Sequence, residues 1–181
     1  MKYGARISVI GPEATPRLKA LAGKKKIAFK MRRVNLRDLN GTYLVISATS
    51  DRKINSAVSS YCRKKGILIN VVDSPKECNF ILPSVLRKGR LTITISTGGI
   101  SPALSKKIRQ DLERRVGAEY AKLLHIMAKL RPEVLGKIRN PVSRKAFFKK
   151  AVSADILNLL RRNKGQQARE KIKAILTKNL R

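Results

Sequence analysis

Between residues 5 and 96, short β-branched runs alternate with polar or helical stretches: ARISVI at 5–10, KIAFKM at 26–31, TYLVISAT at 42–49, ILINVV at 67–72 and LTITIS at 91–96. Several of these runs are nearly continuous in apolar residues, as strands covered on both faces are, and parallel sheets are covered in that way. Between them, DRKINSAVSSYCRKKG at 51–66 sets Ile54, Ala57, Val58, Tyr61 and Cys62 at helical spacing and ends on Gly66, which suits the residue after a helix. Residues 42–72 thus predict strand, helix, strand. After Gly98-Gly99 the strand pattern stops. Ser101 and Pro102 make an N-cap and first helical position for PALSKKIRQDLERRV, and further helices are expected at 117–130, 142–150, 153–162 and 165–179. Breaks are expected at Pro132, Pro141 and Asn163-Lys164-Gly165.

The charge is extreme. The 181 residues carry 42 Lys and Arg against 11 Asp and Glu, a formal net charge of +31. Residues 17–37 hold basic side chains and no acid, and in 142–181 Asp155 and Glu170 are the acids. Such a field attracts nucleic acid, anionic lipid or a small polyanion without choosing among them. With 4% aromatics, no Trp and no RGG, zinc-finger or RNP-like run, a base-stacking platform has little support, and the composition argues against nucleic acid as the partner. The apolar runs fall far short of the roughly 20 residues of a membrane span, so no membrane association is expected. The start MKYGARISVIG lacks a secretory pattern, and a cytoplasmic protein is expected. Cys62 and Cys78 lack disulfide-scaffold or zinc-site spacing and are expected to be reduced core residues. His125, in YAKLLHIMAKL, is assigned no chemistry, and Asn40-Gly41-Thr42 is expected as a turn.

Three places could carry chemistry. Asp73 follows ILINVV and precedes Ser74-Pro75, at the carboxyl end of a run that reads as a central strand, where open α/β sheets keep their ligands. Its carboxylate could be a general base, or it could serve an Asx turn or helix N-cap; spacing leaves both open. STGGISPALSKKIR at 96–109 is a strand running into a Gly-Gly turn and a capped helix, an anion cradle or a plain turn. In GPEAT at 11–15, Glu13 stands about where a dinucleotide fold keeps its ribose-binding acid. G-x-G-x-x-G, G-x-x-x-x-G-K-[ST], G-x-S-x-G and H-E-x-x-H do not occur.

Residues 67–113, ILINVVDSPKECNFILPSVLRKGRLTITISTGGISPALSKKIRQDLE, resemble the core signature of the siroheme synthase N-terminal module family, the precorrin-2 dehydrogenase and sirohydrochlorin ferrochelatase module. NVVD-x-P, F-I-x-P-S, an alternating strand and S-[ST]-G-G-x-S-P-x-L come in order. Upstream, GARISVIGPE and LVISATSDRKIN resemble the module's second and fourth strands, and the C-terminus resembles its dimerisation and cap regions. The resemblance implies an incomplete Rossmann-like parallel sheet with a dimerisation segment and an all-helical end. Its parts would be a truncated NAD-binding domain at 1–82, a crossing strand and dimerisation region at 83–141, and a helical region at 142–181.

The resemblance also implies NAD-dependent oxidation of precorrin-2 to sirohydrochlorin, with Fe2+ a further substrate if iron is inserted too, and a homodimer. By position, the catalytic carboxylate falls on Asp73. Pro12 and Glu13 match positions beside the adenosine half of NAD, Ala48 and Thr49 match the strand-four turn facing the cofactor, and Thr97, Gly98, Gly99 and Ser101 match the turn near the tetrapyrrole. No resident metal is implied. A polycarboxylate tetrapyrrole suits a basic chain. The front departs from the family: Met1-Lys2-Tyr3-Gly4-Ala5 resembles the last turn of its first helix, so the first strand and Gly-rich phosphate turn are expected to be missing from this sequence. The alternative is then a non-catalytic tetrapyrrole- or anion-binding remnant. No fused methyltransferase domain is expected.

Overall fold

The computed structural model describes residues 4–178, in two compact units that meet in sequence at Ile81 and Leu82. Met1, Lys2 and Tyr3, where the end of a helix was expected, lie outside the described residues. No described helix is long and apolar enough to cross a membrane.

The first unit runs β1 (Ser8–Gly11), α1 (Pro16–Gly23), β2 (Ala28–Met31), β3 (Leu44–Ser47), α2 (Arg52–Lys64) and β4 (Leu68–Val71), with 3-10 turns at Leu36–Leu39 and Pro75–Glu77. Its helices start where side-chain caps allow. Thr15 accepts the Leu18 N–H ahead of Pro16, and Asp51 accepts the N–H groups of Lys53 and Ile54, meeting donors that a helix start leaves unpaired. Gly66, at φ +67°, lets the chain leave α2 through the left-handed region. β1 pairs with β2 and β3 with β4, both parallel, with Ser8 opposite Ala28 and Ser47 opposite Val71.

The two pairs share no ladder. α2 buries Val58 and Cys62 against Ile67, Ile69 and Val71, and Leu39 completes this core. None of its residues comes from β1, α1 or β2, and within residues 4–31 the one buried hydrophobic described is Ile27. Ile7, Leu44 and Ile46 are exposed although their runs are of the doubly covered type. The outer edge of β4 is closed instead: Asn79 Oδ1 accepts the Ile69 N–H at 2.6 Å, its Nδ2 donates to Ile67 O, and Asn70 Nδ2 donates to Phe80 O. The fold is the expected incomplete Rossmann-like α/β arrangement, with open strand edges on β1 and β3.

The second unit begins with an antiparallel hairpin, β5 (Ser84–Lys88) and β6 (Leu91–Ile95), around Gly89-Arg90. β5 was not expected as a strand. Gly89 has φ +58°, which side chains disfavour, and a Cβ there would lie a tight 3.0 Å from the Ala121 Cβ. Five helices follow: α3 (Pro102–Arg115), α4 (Ala118–Lys137), α5 (Pro141–Ala151), α6 (Ala154–Arg161) and α7 (Gly165–Lys178). Phe147, Ile156, Leu160 and Ile172 are fully buried among them.

The expected break at Pro132 is corrected: α4 continues through it to Lys137. Proline removes one helical hydrogen bond, but Val134 and Ile138 beyond it are 0% and 3% exposed in the core, and their burial outweighs that loss.

At the start of α4, Glu119 is 5% exposed and accepts from Arg161 of α6 at 3.0 Å. Its own backbone N–H and the Arg161 guanidinium hold it below the usual carboxylate range against burial. A depressed folded pKa adds stability at pH above the unfolded value of about 4.3, and that stability is lost as pH falls through the folded pKa. Glu119→Gln is expected to cost about 1–3 kcal/mol at neutral pH and to flatten the stability loss in acid, read from urea unfolding at several pH values. An unchanged acid limb would show that the pair contributes nothing.

Candidate functional site

Asp73 leaves β4 at φ +59°, in a turn closed by the Ser74 N–H to Val71 O at 3.2 Å. Few non-glycine residues adopt this conformation; Asp and Asn tolerate it best, and it persists where neighbours over-determine it. Several contacts do so here. Cys78 Sγ receives the Val71 N–H at 3.1 Å and lies 3.3 Å from Ser74 O. Ser59 Oγ donates to Glu77 O at 2.6 Å, Ser56 donates to the Glu77 carboxylate, and Arg63 donates to the carbonyls of Lys76 and Cys78. The Ser56 and Ser74 hydroxyls hold Glu77 below its usual pKa. The 3-10 turn after Asp73 is thus clamped onto α2, and the Asp73 carboxylate is left exposed at the sheet end. The N-cap alternative does not describe it: Ser74, not Asp73, occupies the N-cap of the following turn and makes no side-chain cap bond.

The β3–β4 ladder extends to the Val72 N–H, which donates to Ser47 O at 2.9 Å, so Ala48, Thr49 and Asp73 all leave the same carboxyl end. Asn55 supports this corner from α2. It receives the Ser47 hydroxyl at 2.7 Å and donates to Thr49 O at 2.9 Å. Thr49 Oγ1 accepts the Asp51 N–H, so its hydroxyl also shapes the entry to α2. Pro12 and Glu13 are exposed beyond β1, at the carboxyl end of the other parallel pair. Thr97, Gly98, Gly99 and Ser101 belong to the second unit.

There, Gly98 and Gly99 both have positive φ, at +63° and +85°, in a turn closed by the Ile100 N–H to Thr97 O. Side chains are disfavoured at both positions. Thr97 Oγ1 accepts the Ser101 N–H at 3.0 Å and Ser101 Oγ caps α3 through the Leu104 N–H at 3.2 Å. The turn presents backbone amides beside a helix start, where anions are favoured.

A dinucleotide fits this residue set in part. Glu13 offers a carboxylate for ribose hydroxyls, and Thr49 and Asp73 stand at the carboxyl end of a parallel strand pair, the end at which open α/β sheets receive cofactors. The described strand-to-helix turn after β1 is Gly11-Pro12-Glu13-Ala14-Thr15, which has no glycine pair to cradle a pyrophosphate. Among the described residues no group of three or more His, Cys, Asp or Glu forms a metal site. Asn55, Arg63 and Asn79 were not singled out from sequence, and Cys78 was expected only as a reduced core residue; each bonds backbone groups outside its own helix or turn, and no local spacing signals that.

Three family models match the chain: a putative NAD(P)-binding family over residues 1–84, the central region of sirohaem biosynthesis proteins over 88–115 and the sirohaem synthase dimerisation region over 119–176. The chain is 31% identical to a siroheme synthase of Thioalkalivibrio sulfidiphilus over 179 residues, 99% of this chain and 37% of the relative. With a siroheme synthase of Nitrosomonas eutropha it shares 33% over 171 residues, 94% of this chain and 36% of the relative. It therefore spans little more than a third of these curated relatives. The solved structure of SirC, precorrin-2 dehydrogenase, superposes with a TM-score of 0.72 at 24% identity, over 94% of this chain and 84% of that one, a likeness of fold.

Proposed function

Because this chain belongs to the siroheme synthase N-terminal module family, we propose that it oxidises precorrin-2 to sirohydrochlorin in siroheme biosynthesis. The observation that carries this reading is Asp73, an exposed carboxylate in a left-handed, clamped turn at the carboxyl end of a parallel strand pair. Precorrin-2 gives up one hydride and one proton. NAD, when bound, supplies the hydride acceptor. Asp73 takes the proton as the C–H electron pair departs, and Glu13 receives the ribose hydroxyls, a carboxylate there favouring NAD over a 2′-phosphorylated cofactor. Ala48 and Thr49 shape the cofactor-facing end of β3, and Pro12 sets the backbone ahead of Glu13. The Thr97–Ser101 turn binds tetrapyrrole carboxylates through its amides. The active form is a cytoplasmic homodimer, and Fe2+ is a substrate where the same site also metallates sirohydrochlorin.

The test is anaerobic incubation of precorrin-2 and NAD with the chain carrying a Gly-rich segment of the family's kind at its amino end. NADH and sirohydrochlorin should form in equal amounts. Tetrapyrrole binding without any NADH would sink the dehydrogenase reading and favour the non-catalytic one, which the turn after β1, lacking a glycine pair, supports. Added Fe2+ should convert the product to siroheme only if iron insertion resides here.

A further inference from the structure

Asn55, Ser59 and Arg63 stand at i, i+4 and i+8 along α2, on one stripe of the helix. The two ends of the stripe hold different segments. Near the start of α2, Asn55 is 7% exposed; its Nδ2 donates to Thr49 O at 2.9 Å and its Oδ1 accepts the Ser47 hydroxyl at 2.7 Å. In the last turn, the exposed Arg63 donates through Nη2 to Lys76 O at 3.0 Å and to Cys78 O at 2.8 Å, and Ser59 donates to Glu77 O between them. Asn55 and Arg63 lie about 12 Å apart along the helix, and in the described hydrogen bonds they share no partner.

We infer that Asn55 and Arg63 are positioning residues that act separately: Asn55 sets the turn at Ala48-Thr49 for the cofactor, and Arg63 sets the turn that carries Asp73. This rests on the proposed dehydrogenase reading and deepens it, because cofactor affinity and proton transfer then depend on opposite ends of one helix. Thr49 O is held by the buried amide while Thr49 Oγ1 accepts the Asp51 N–H, so the peptide after Thr49 is fixed from both sides. Without the Asn55 donor that carbonyl is free to turn, and contacts made from Ala48 and Thr49 weaken. Asp73 has the opposite problem. Its φ of +59° is disfavoured for a residue with a side chain and relaxes unless neighbours hold it. Arg63 grips the chain returning from Asp73, and Cys78 in that chain receives the Val71 N–H and lies against Ser74 O, on either side of the carboxylate's turn. A general base displaced by a fraction of an ångström loses rate before it loses substrate.

Kinetics and NAD calorimetry of the chain extended by a Gly-rich segment, with amide hydrogen exchange of residues 1–181, test this. Asn55→Asp keeps an acceptor for Ser47 but cannot donate to Thr49 O at neutral pH; it should raise the KM and the Kd for NAD about tenfold with kcat within about twofold. Asn55→Ser, which puts no charge in the core and is too short to reach Thr49, should do the same. Ser47→Ala removes the other bond of that amide, so it should lower the urea midpoint comparably yet leave NAD affinity within about twofold. Native NAD affinity in either folded Asn55 variant, or an equal rise in Ser47→Ala, overturns the role of Asn55. Arg63→Ala should lower kcat about tenfold with the KM for NAD and precorrin-2 within about twofold, and Arg63→Lys should recover part of the rate, since an ammonium can still meet one carbonyl. The Ser74 N–H, which closes the Asp73 turn, should exchange about fivefold faster in Arg63→Ala and at the native rate in Asn55→Asp. Native kcat or native Ser74 exchange in Arg63→Ala overturns the role of Arg63, and a double variant whose losses do not multiply overturns the separation. An extended native chain that binds NAD but forms no NADH overturns the dehydrogenase reading alone, and the NAD affinities and Ser74 exchange then still decide whether the two holds act apart. One that binds no NAD overturns both.

Discussion

Asp73→Asn, made in a chain extended by a strand and Gly-rich turn of the family's kind, is expected to lower precorrin-2 turnover by about 10²–10⁴-fold, the usual contribution of a positioned general base. The fold should survive. Asn is the other residue that tolerates φ +59°, so the turn keeps its backbone, and the contacts of Cys78, Ser59 and Arg63 that hold it do not involve the Asp73 side chain. The amide cannot take a proton at neutral pH but keeps nearly the same shape, so tetrapyrrole binding should change little and the loss should fall on kcat. Single-turnover oxidation and the urea midpoint of the same preparation check both halves. Near-native turnover at unchanged stability would remove Asp73 from the chemistry; a collapse of stability would make it a turn residue.

NAD is expected to bind residues 1–181 alone at least about 100-fold more weakly than the extended chain. A pyrophosphate is normally gripped by backbone N–H groups at a Gly-rich strand-to-helix turn, and charge-assisted hydrogen bonds contribute about 1.5–3 kcal/mol each, so losing two costs 10² or more. Glu13 and Thr49 remain, but a ribose contact or a hydroxyl already engaged with Asp51 cannot replace that grip. A strand placed between β1 and β3 would also pair with their open edges, so the extended chain should unfold at higher denaturant. Calorimetric titration of NAD into both versions decides the matter. Micromolar affinity in the short form would show that other groups hold the phosphates.

Periodicity exposed most elements, because their signals are local. The β-branched runs became β1 to β4 and β6, and the Ser101-Pro102 start and the Gly66 stop stand where capping chemistry puts them. β5 escaped because Pro83 and Ser84 precede a run that ends in Arg87 and Lys88, which reads as polar; its partner is β6, across Gly89-Arg90. The helix through Pro132 escaped because a local rule about proline lost to the burial of Val134 and Ile138 against residues up to about forty positions away.

The candidate site divides along the same line. Residue order alone places the carboxylate after β4, the acid after β1 and the glycine pair before α3, because strand ends and turns are dictated by nearest neighbours. Packing between elements, by contrast, sets the left-handed conformation of Asp73 clamped from α2, brings Thr49 to the same strand end, closes the outer edge of β4 with Asn79 and keeps the two parallel pairs apart. Each of these depends on which backbone groups find partners outside their own element. Hydrogen bonds such as Ser59 to Glu77 and Asn79 to Ile67 form only once the strands and α2 have packed.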